Sequence, residues 1–197
     1  MSQQEKLAAF SKKFLKGQPI PHDLEQMLLM QWNRVEQEDL YVDPLQALGA
    51  RLIEDGTSYP LIDHSYLNDK DRADPDIMAN IKAIDVITAM CSFVAEDDDS
   101  ALFGYWHGPQ NLPASEAPII TFNTEGQFEL SGGRNLAEAL MSHWIFEEDE
   151  FEQRKGWFAQ YGVDIVATSL DDFPVPETDV LPEELHEQRY YEFKGEK

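Results

Sequence analysis

The β-rich apolar stretches of this chain fall together in its middle, and that order restricts the fold more than any single motif. Cys91–Ala95, Ala101–Trp106, Ile119–Phe122 and Gln127–Leu130 succeed one another, with helical periodicity before and after the group. The strand–helix alternation that builds a parallel doubly wound sheet is missing. Helices, then antiparallel strands, then helices predict an α+β domain, with an antiparallel sheet and helices packed on one side of it. At 197 residues the chain suits a single domain spanning 1–197.

The N-terminal part, residues 1–56, reads as helical. Leu7, Phe10 and Phe14 share one helical face, and Gly17 and Pro19 end that helix. His22-Asp23 can cap a second helix bearing Leu24, Met27, Leu28 and Gln31. Asp43-Pro44 places a cap before a proline at the first helical position, predicting a helix with Leu45, Leu48 and Leu52 inward and Asp55-Gly56 as its stop. Thr57 to Arg72 has no clear period and reads as a loop. Asp74-Pro75 repeats the cap-and-proline signal ahead of Ile77, Ile81 and Ile84. Val86 to Val94 is apolar and either continues that helix or begins a buried strand; the strand is placed near Cys91–Ala95.

Asn123-Thr124-Glu125-Gly126 joins the last two strands as a hairpin turn, and Asp97-Asp98-Asp99-Ser100 reads as a polar turn between the first two. After Gly132-Gly133, Leu136, Leu140 and Trp144 predict one helix, and Phe151, Phe158 and Tyr161 another that ends at Gly162. Residues 163–197 form an acidic, proline-bearing extension, expected to wrap the surface, with a short helix near Pro182–Arg189.

Charge bounds the partners. There are 38 Asp and Glu against 15 Lys and Arg, a net charge of -23. Nucleic acid and anionic membrane both call for a basic footprint, so neither is expected. The charge is uneven: residues 96–197 hold 23 acids and 6 bases, residues 1–95 hold 15 and 9. Solubility asks for a net charge of only about 2–8 in a small domain. The excess costs self-repulsion, and a strongly basic partner is one reason to tolerate it. A proteome that is acidic throughout is another.

Chemistry is sparsely signalled. Cys91 is the single cysteine, so no internal disulfide forms, and its apolar neighbours Met90, Phe93 and Val94 predict an inert buried thiol. With no signal peptide at the N-terminus and no membrane-length apolar run, the expected compartment is cytoplasmic. There is no phosphate-binding glycine loop and no Gly-x-Ser-x-Gly elbow. None of the histidines 22, 64, 107, 143 and 186 lies within four residues of another. Asn68, Asp69, Asp71, Asp74 and Asp76 crowd one loop, but the EF-hand pattern fails there, so a helix-capping loop is expected. No metal or cofactor is therefore assigned. The acids Asp97, Asp98 and Asp99 at a turn, and Glu147, Glu148 and Glu150 in the first turn of a helix, are expected to be solvated.

Ala101-Leu-Phe-Gly-Tyr-Trp-His-Gly-Pro, then Ala117-Pro-Ile-Ile-Thr-Phe-Asn-Thr-Glu-Gly-Gln-Phe-Glu-Leu, then Asn135-Leu-Ala-Glu-Ala-Leu, resemble the SMI1/KNR4 (SUKH) superfamily. The likeness covers about residues 75–146: a strand carrying Gly and Trp, a hairpin with an Asn-x-x-Gly turn, then a helix at a Leu-Ala-Glu stretch. The resemblance implies a non-catalytic α+β binding domain. Bacterial members act as immunity proteins that neutralise a cognate toxin; fungal relatives are cell-wall regulators and interaction hubs. The expected function is occlusion of a basic toxin. Asp97, Asp98 and Asp99 would form an acidic rim, Glu147, Glu148 and Glu150 would also bind the partner, and Tyr105, Trp106 and His107 would serve as anchors near a concave sheet face, Trp106 being equally readable as a core residue. The rival expectations are a small hydrolytic or metal-dependent enzyme assembled from His64, Asp69, Asp71 and His107, and an acidic scaffold protein.

Overall fold

The computed structural model describes residues 2–33, 43–53 and 59–195. Its sheet has five strands in the order β1-β2-β3-β4-β5, every pair antiparallel: β1 (Ala50–Leu52), β2 (Cys91–Asp97), β3 (Leu102–Trp106), β4 (Ile119–Phe122) and β5 (Phe128–Leu130). The helices are α1 (Gln3–Phe14), α2 (His22–Trp32), α3 (Pro44–Ala47), α4 (Pro60–Asp63), α5 (Asp69–Ala73), α6 (Pro75–Thr88), α7 (Leu136–Trp144), α8 (Glu148–Gln160) and α9 (Pro182–Lys194). The α+β class is as expected. Among the described residues no helix is long and apolar enough to cross a membrane.

Every residue of β2, β3 and β4 is buried. Alternate side chains point to opposite faces of a strand, so burial at each position means that both faces are covered. One face carries Val94, Ala95, Phe103, Tyr105 and Ile119 into a core with residues of α1, α2, α7 and α8. The other carries Phe93, Leu102, Trp106, Ile120, Phe122 and Phe128 against Ile81, Ile84 and Ile87 of α6 and Leu185 of α9. This corrects the expectation of helices on one side only. The acidic C-terminal extension ends in a helix that covers sheet, longer than the short one expected.

Local signals explain several boundaries. Asp43 caps α3 through the Gln46 N–H at 2.9 Å, and Asp74 caps α6 through Asp76 and Ile77. Leu52, expected on the helix with Leu45 and Leu48, instead lies in β1, whose three residues pair with Ala95–Asp97. The expected stop at Asp55-Gly56 lies outside the described residues. The presumed loop 57–72 contains α4 and α5, the latter capped by Asn68. At Gly104 an added Cβ would come within 2.2 Å of the Ser92 carbonyl oxygen, so only glycine lets β3 approach β2 this closely.

Two buried carboxylates tie distant segments. Asp23 is expected to help cap its own helix, but Pro21 holds the cap position, and Asp23 Oδ2 instead accepts from the Leu136 N–H of α7 at 2.9 Å. Burial pushes its pKa up. Glu138, 0 % exposed by side chain, accepts from the backbone N–H groups of Arg134 (2.7 Å), Val166 (2.7 Å) and Ala167 (2.9 Å). It fastens the chain after α8 to α7. Hydrogen bonds to charged groups contribute about 1.5–3 kcal/mol each, so Glu138→Ala should lower unfolding free energy by about 3 kcal/mol or more. Urea denaturation measures this; a loss below about 1 kcal/mol would contradict the role.

Candidate functional site

The two hairpins place their turns at one end of the sheet. The β2–β3 turn closes through the Asp97 N–H to the Ala101 carbonyl (3.0 Å), and through Asp97 Oδ1, which accepts from the Ala101 N–H (2.8 Å). Ser100 takes a left-handed conformation to complete it. The β4–β5 turn is held by Asn123 Oδ1, which accepts from the Glu125 and Gln127 N–H groups at 3.0 Å each, with Gly126 at φ +80°. His143 of α7 packs edge-on to Phe103, centroids 5.2 Å apart. Between the tips and His143 lies a depression of about 380 Å³, lined by Asp97, Asp99, Ala101, Thr121, Asn123, Thr124, Glu125, Gln127, Glu129 and His143.

Four of these side chains are carboxylic acids, and among the described residues none lining the depression is Lys or Arg. The sequence predicts Asp97 as a wet turn residue. It is 4 % exposed, because β2 continues through it and Asp98 donates its N–H to the Gly49 carbonyl beside β1. Its Oδ2 has no hydrogen-bond partner among the described residues and lies 4.0 Å from His143 Nε2. Burial raises the Asp97 pKa, against lesser opposing effects from the Ala101 N–H and His143. Asp98 and Asp99 are exposed, as a rim requires.

The expected aromatic anchors are corrected. Tyr105, Trp106 and His107 are buried and offer a partner no surface. Tyr105 and Trp106 end a doubly covered strand, so neither orientation reaches water, and His107 directly follows it. Trp106 Nε1–H donates to the Val180 carbonyl at 3.1 Å, joining β3 to the C-terminal extension. His107 meets the Leu112 carbonyl through Nδ1 (2.7 Å) and Ser92 Oγ through Nε2 (2.8 Å). A carbonyl only accepts, and burial lowers the His107 pKa, so the neutral ring donates from Nδ1 and accepts at Nε2.

Glu147, Glu148 and Glu150 lie at the start of α8, as expected, and do not line the depression. Glu147 and Glu148 are exposed, while Glu150 pairs with Arg154 at 3.0 Å. Phe146, just before them, is 75 % exposed. Three of the four residues of the enzyme reading are engaged separately: His64 Nε2 meets Asp85 at 2.7 Å, Asp71 accepts from the Asn68 N–H, and His107 is bonded as above. Among the described residues no group of three or more His, Cys, Asp or Glu is arranged to hold a metal ion. Cys91 is buried, as expected, and burial raises its pKa.

Glu125, Glu129 and His143 join the site through the fold, since none of them stands in an acid run. The hairpin register held a usable signal: Glu129 pairs opposite Thr121, beside the Asn123 turn. No family model matches the chain, and neither a curated protein nor a solved structure is significantly similar to it. The SUKH resemblance rests on the quoted segments alone.

Because the folded-state pKa of Asp97 is raised, its stabilising contribution is complete below the unfolded value near ~3.9 and is lost as pH rises through the folded value. Asp97→Asn keeps an acceptor for Ala101 and removes that loss. The variant should therefore gain melting temperature relative to the parent at pH 7, and the gain should shrink by pH 3. Thermal denaturation across pH checks this; a parent that is favoured at pH 7 would mean that pairing with His143 outweighs burial.

Proposed function

We propose that this chain is a non-catalytic binding protein that occludes the working face of a basic partner, in the manner that the SUKH resemblance implies for an immunity protein and its toxin. The supporting observation is the acid-lined depression at the hairpin end of the sheet. Clefts lined by charge of one sign focus the field and draw oppositely charged partners, raising association rates by about ten- to a thousandfold. The net charge of -23 adds a long-range attraction, while the local carboxylates supply orientation. Phe146, next to the exposed Glu147 and Glu148 in the chain, is an exposed aromatic available as an anchor, as Tyr105 and Trp106 are not.

Stopped-flow association with the basic toxin domain encoded nearest to this chain in its native genome tests the reading. The rate should fall about tenfold or more from low to high salt. Asp99→Lys combined with Glu129→Lys should lower it further at low salt, and Phe146→Ala should act mainly on dissociation. Binding that ignores both salt and the charge reversals would refute electrostatic occlusion.

A further inference from the structure

We propose that the depression seats one arginine side chain of the basic partner. The inference rests on the proposed function and names what enters the site. Buried polar atoms almost always find a hydrogen-bond partner. Among the described residues Asp97 Oδ2 is a carboxylate oxygen with no hydrogen-bond partner, 4.0 Å from His143 Nε2, in a buried residue that lines the depression. The other polar groups there are partly spoken for. Thr121 Oγ1 is bonded to Ser131 Oγ, and Asn123 uses Oδ1 on its own turn and Nδ2 on Gln127. Asp99, Glu125 and Glu129 supply acceptors around the opening. The site therefore asks for a positively charged group rich in donors.

Arginine fits that demand better than lysine. A guanidinium presents five N–H donors in a fixed plane and no acceptor, so it can meet several carboxylates at once. It is also more weakly hydrated than an ammonium, so entering a partly buried site costs it less. The volume of about 380 Å³ accommodates a guanidinium with its aliphatic stem. The titratable groups facing it are Asp97, Asp99, Glu125 and Glu129 from the two hairpins and His143 from α7. The source is a side chain within a protein, not free arginine: four acids would repel an α-carboxylate.

The experiment is a two-dimensional NMR titration of the whole chain with acetyl-arginine amide, alongside acetyl-lysine amide, acetyl-citrulline amide and free arginine. Saturable shifts are expected for acetyl-arginine amide at residues 97–101 and 121–129 and on the His143 ring. Lysine amide and free arginine should bind more weakly, and the uncharged citrulline amide should leave the spectrum unchanged. Glu129→Gln, on an exposed side chain, should weaken arginine-amide binding about threefold, as a partly exposed ion pair would. Asp97→Asn should weaken it too, with a dispersed spectrum confirming that the variant folds. Absent saturation, shifts centred elsewhere, lysine amide binding equally well, or free arginine binding more tightly would each overturn the proposal. If arginine amide fails while association with a basic protein still falls with salt, this inference falls and the proposed function stands.

Discussion

Three inner strands with no exposed residue make the sheet a wall between two cores, and most of the remaining chain is committed to covering it. Each buried Phe or Leu contributes about 1.5–3 kcal/mol relative to exposure, so leaving one face bare would forfeit much of the stability of the domain. That demand explains why α6 and α9, distant in sequence, lie on the same face. It also explains why the acidic C-terminal extension returns across the sheet, where its Val180 carbonyl receives the Trp106 indole N–H. Glu138 secures this return path at its beginning, and Gly104 lets the two central strands approach closely enough for the wall to form.

A sheet closed on both faces has little left to present except its ends. The tips of the β2–β3 and β4–β5 hairpins share one end, and both are rich in acids and turn residues. The site therefore follows from topology: alternate hairpins of an antiparallel sheet turn at the same end, so the β2–β3 and β4–β5 turns meet there. Asp97 stands at the junction of wall and tip. One oxygen of its carboxylate closes the turn on Ala101, and the other, buried 4.0 Å from His143 Nε2, has no hydrogen-bond partner among the described residues. The same double burial withdraws Tyr105, Trp106 and His107 from any partner and assigns them to packing and internal hydrogen bonds.

What the sequence made legible were features whose cause is local. Asp74-Pro75 starts a helix because a side-chain cap and a preset φ act within one turn, and Asn123 to Gly126 makes its hairpin for a similarly short-range reason. The features that stayed hidden depend on partners far along the chain. β1 is three residues long and is a strand only because β2 lies beside it. Asp23 looks like a cap for its own helix but bonds Leu136, which lies 113 residues away. The face that holds Trp106 is covered by α6 together with α9, which begins at Pro182, and the Trp106 indole bonds Val180 just ahead of it. Acid runs posed the same difficulty, since neither Asp97 nor Glu150 differs in composition from its wet neighbours; contact with Ala101 and Arg154 distinguishes them.

The account stands or falls on where the negative field is concentrated. Solvent paramagnetic relaxation measured with a cationic and an anionic cosolute of matched size maps the near-surface potential at each amide in solution. The account predicts its most negative values at residues 97–101 and 123–129, with weaker values along α8 and α9 despite their acids. A potential spread evenly over the surface, or a minimum on those helices, would contradict it.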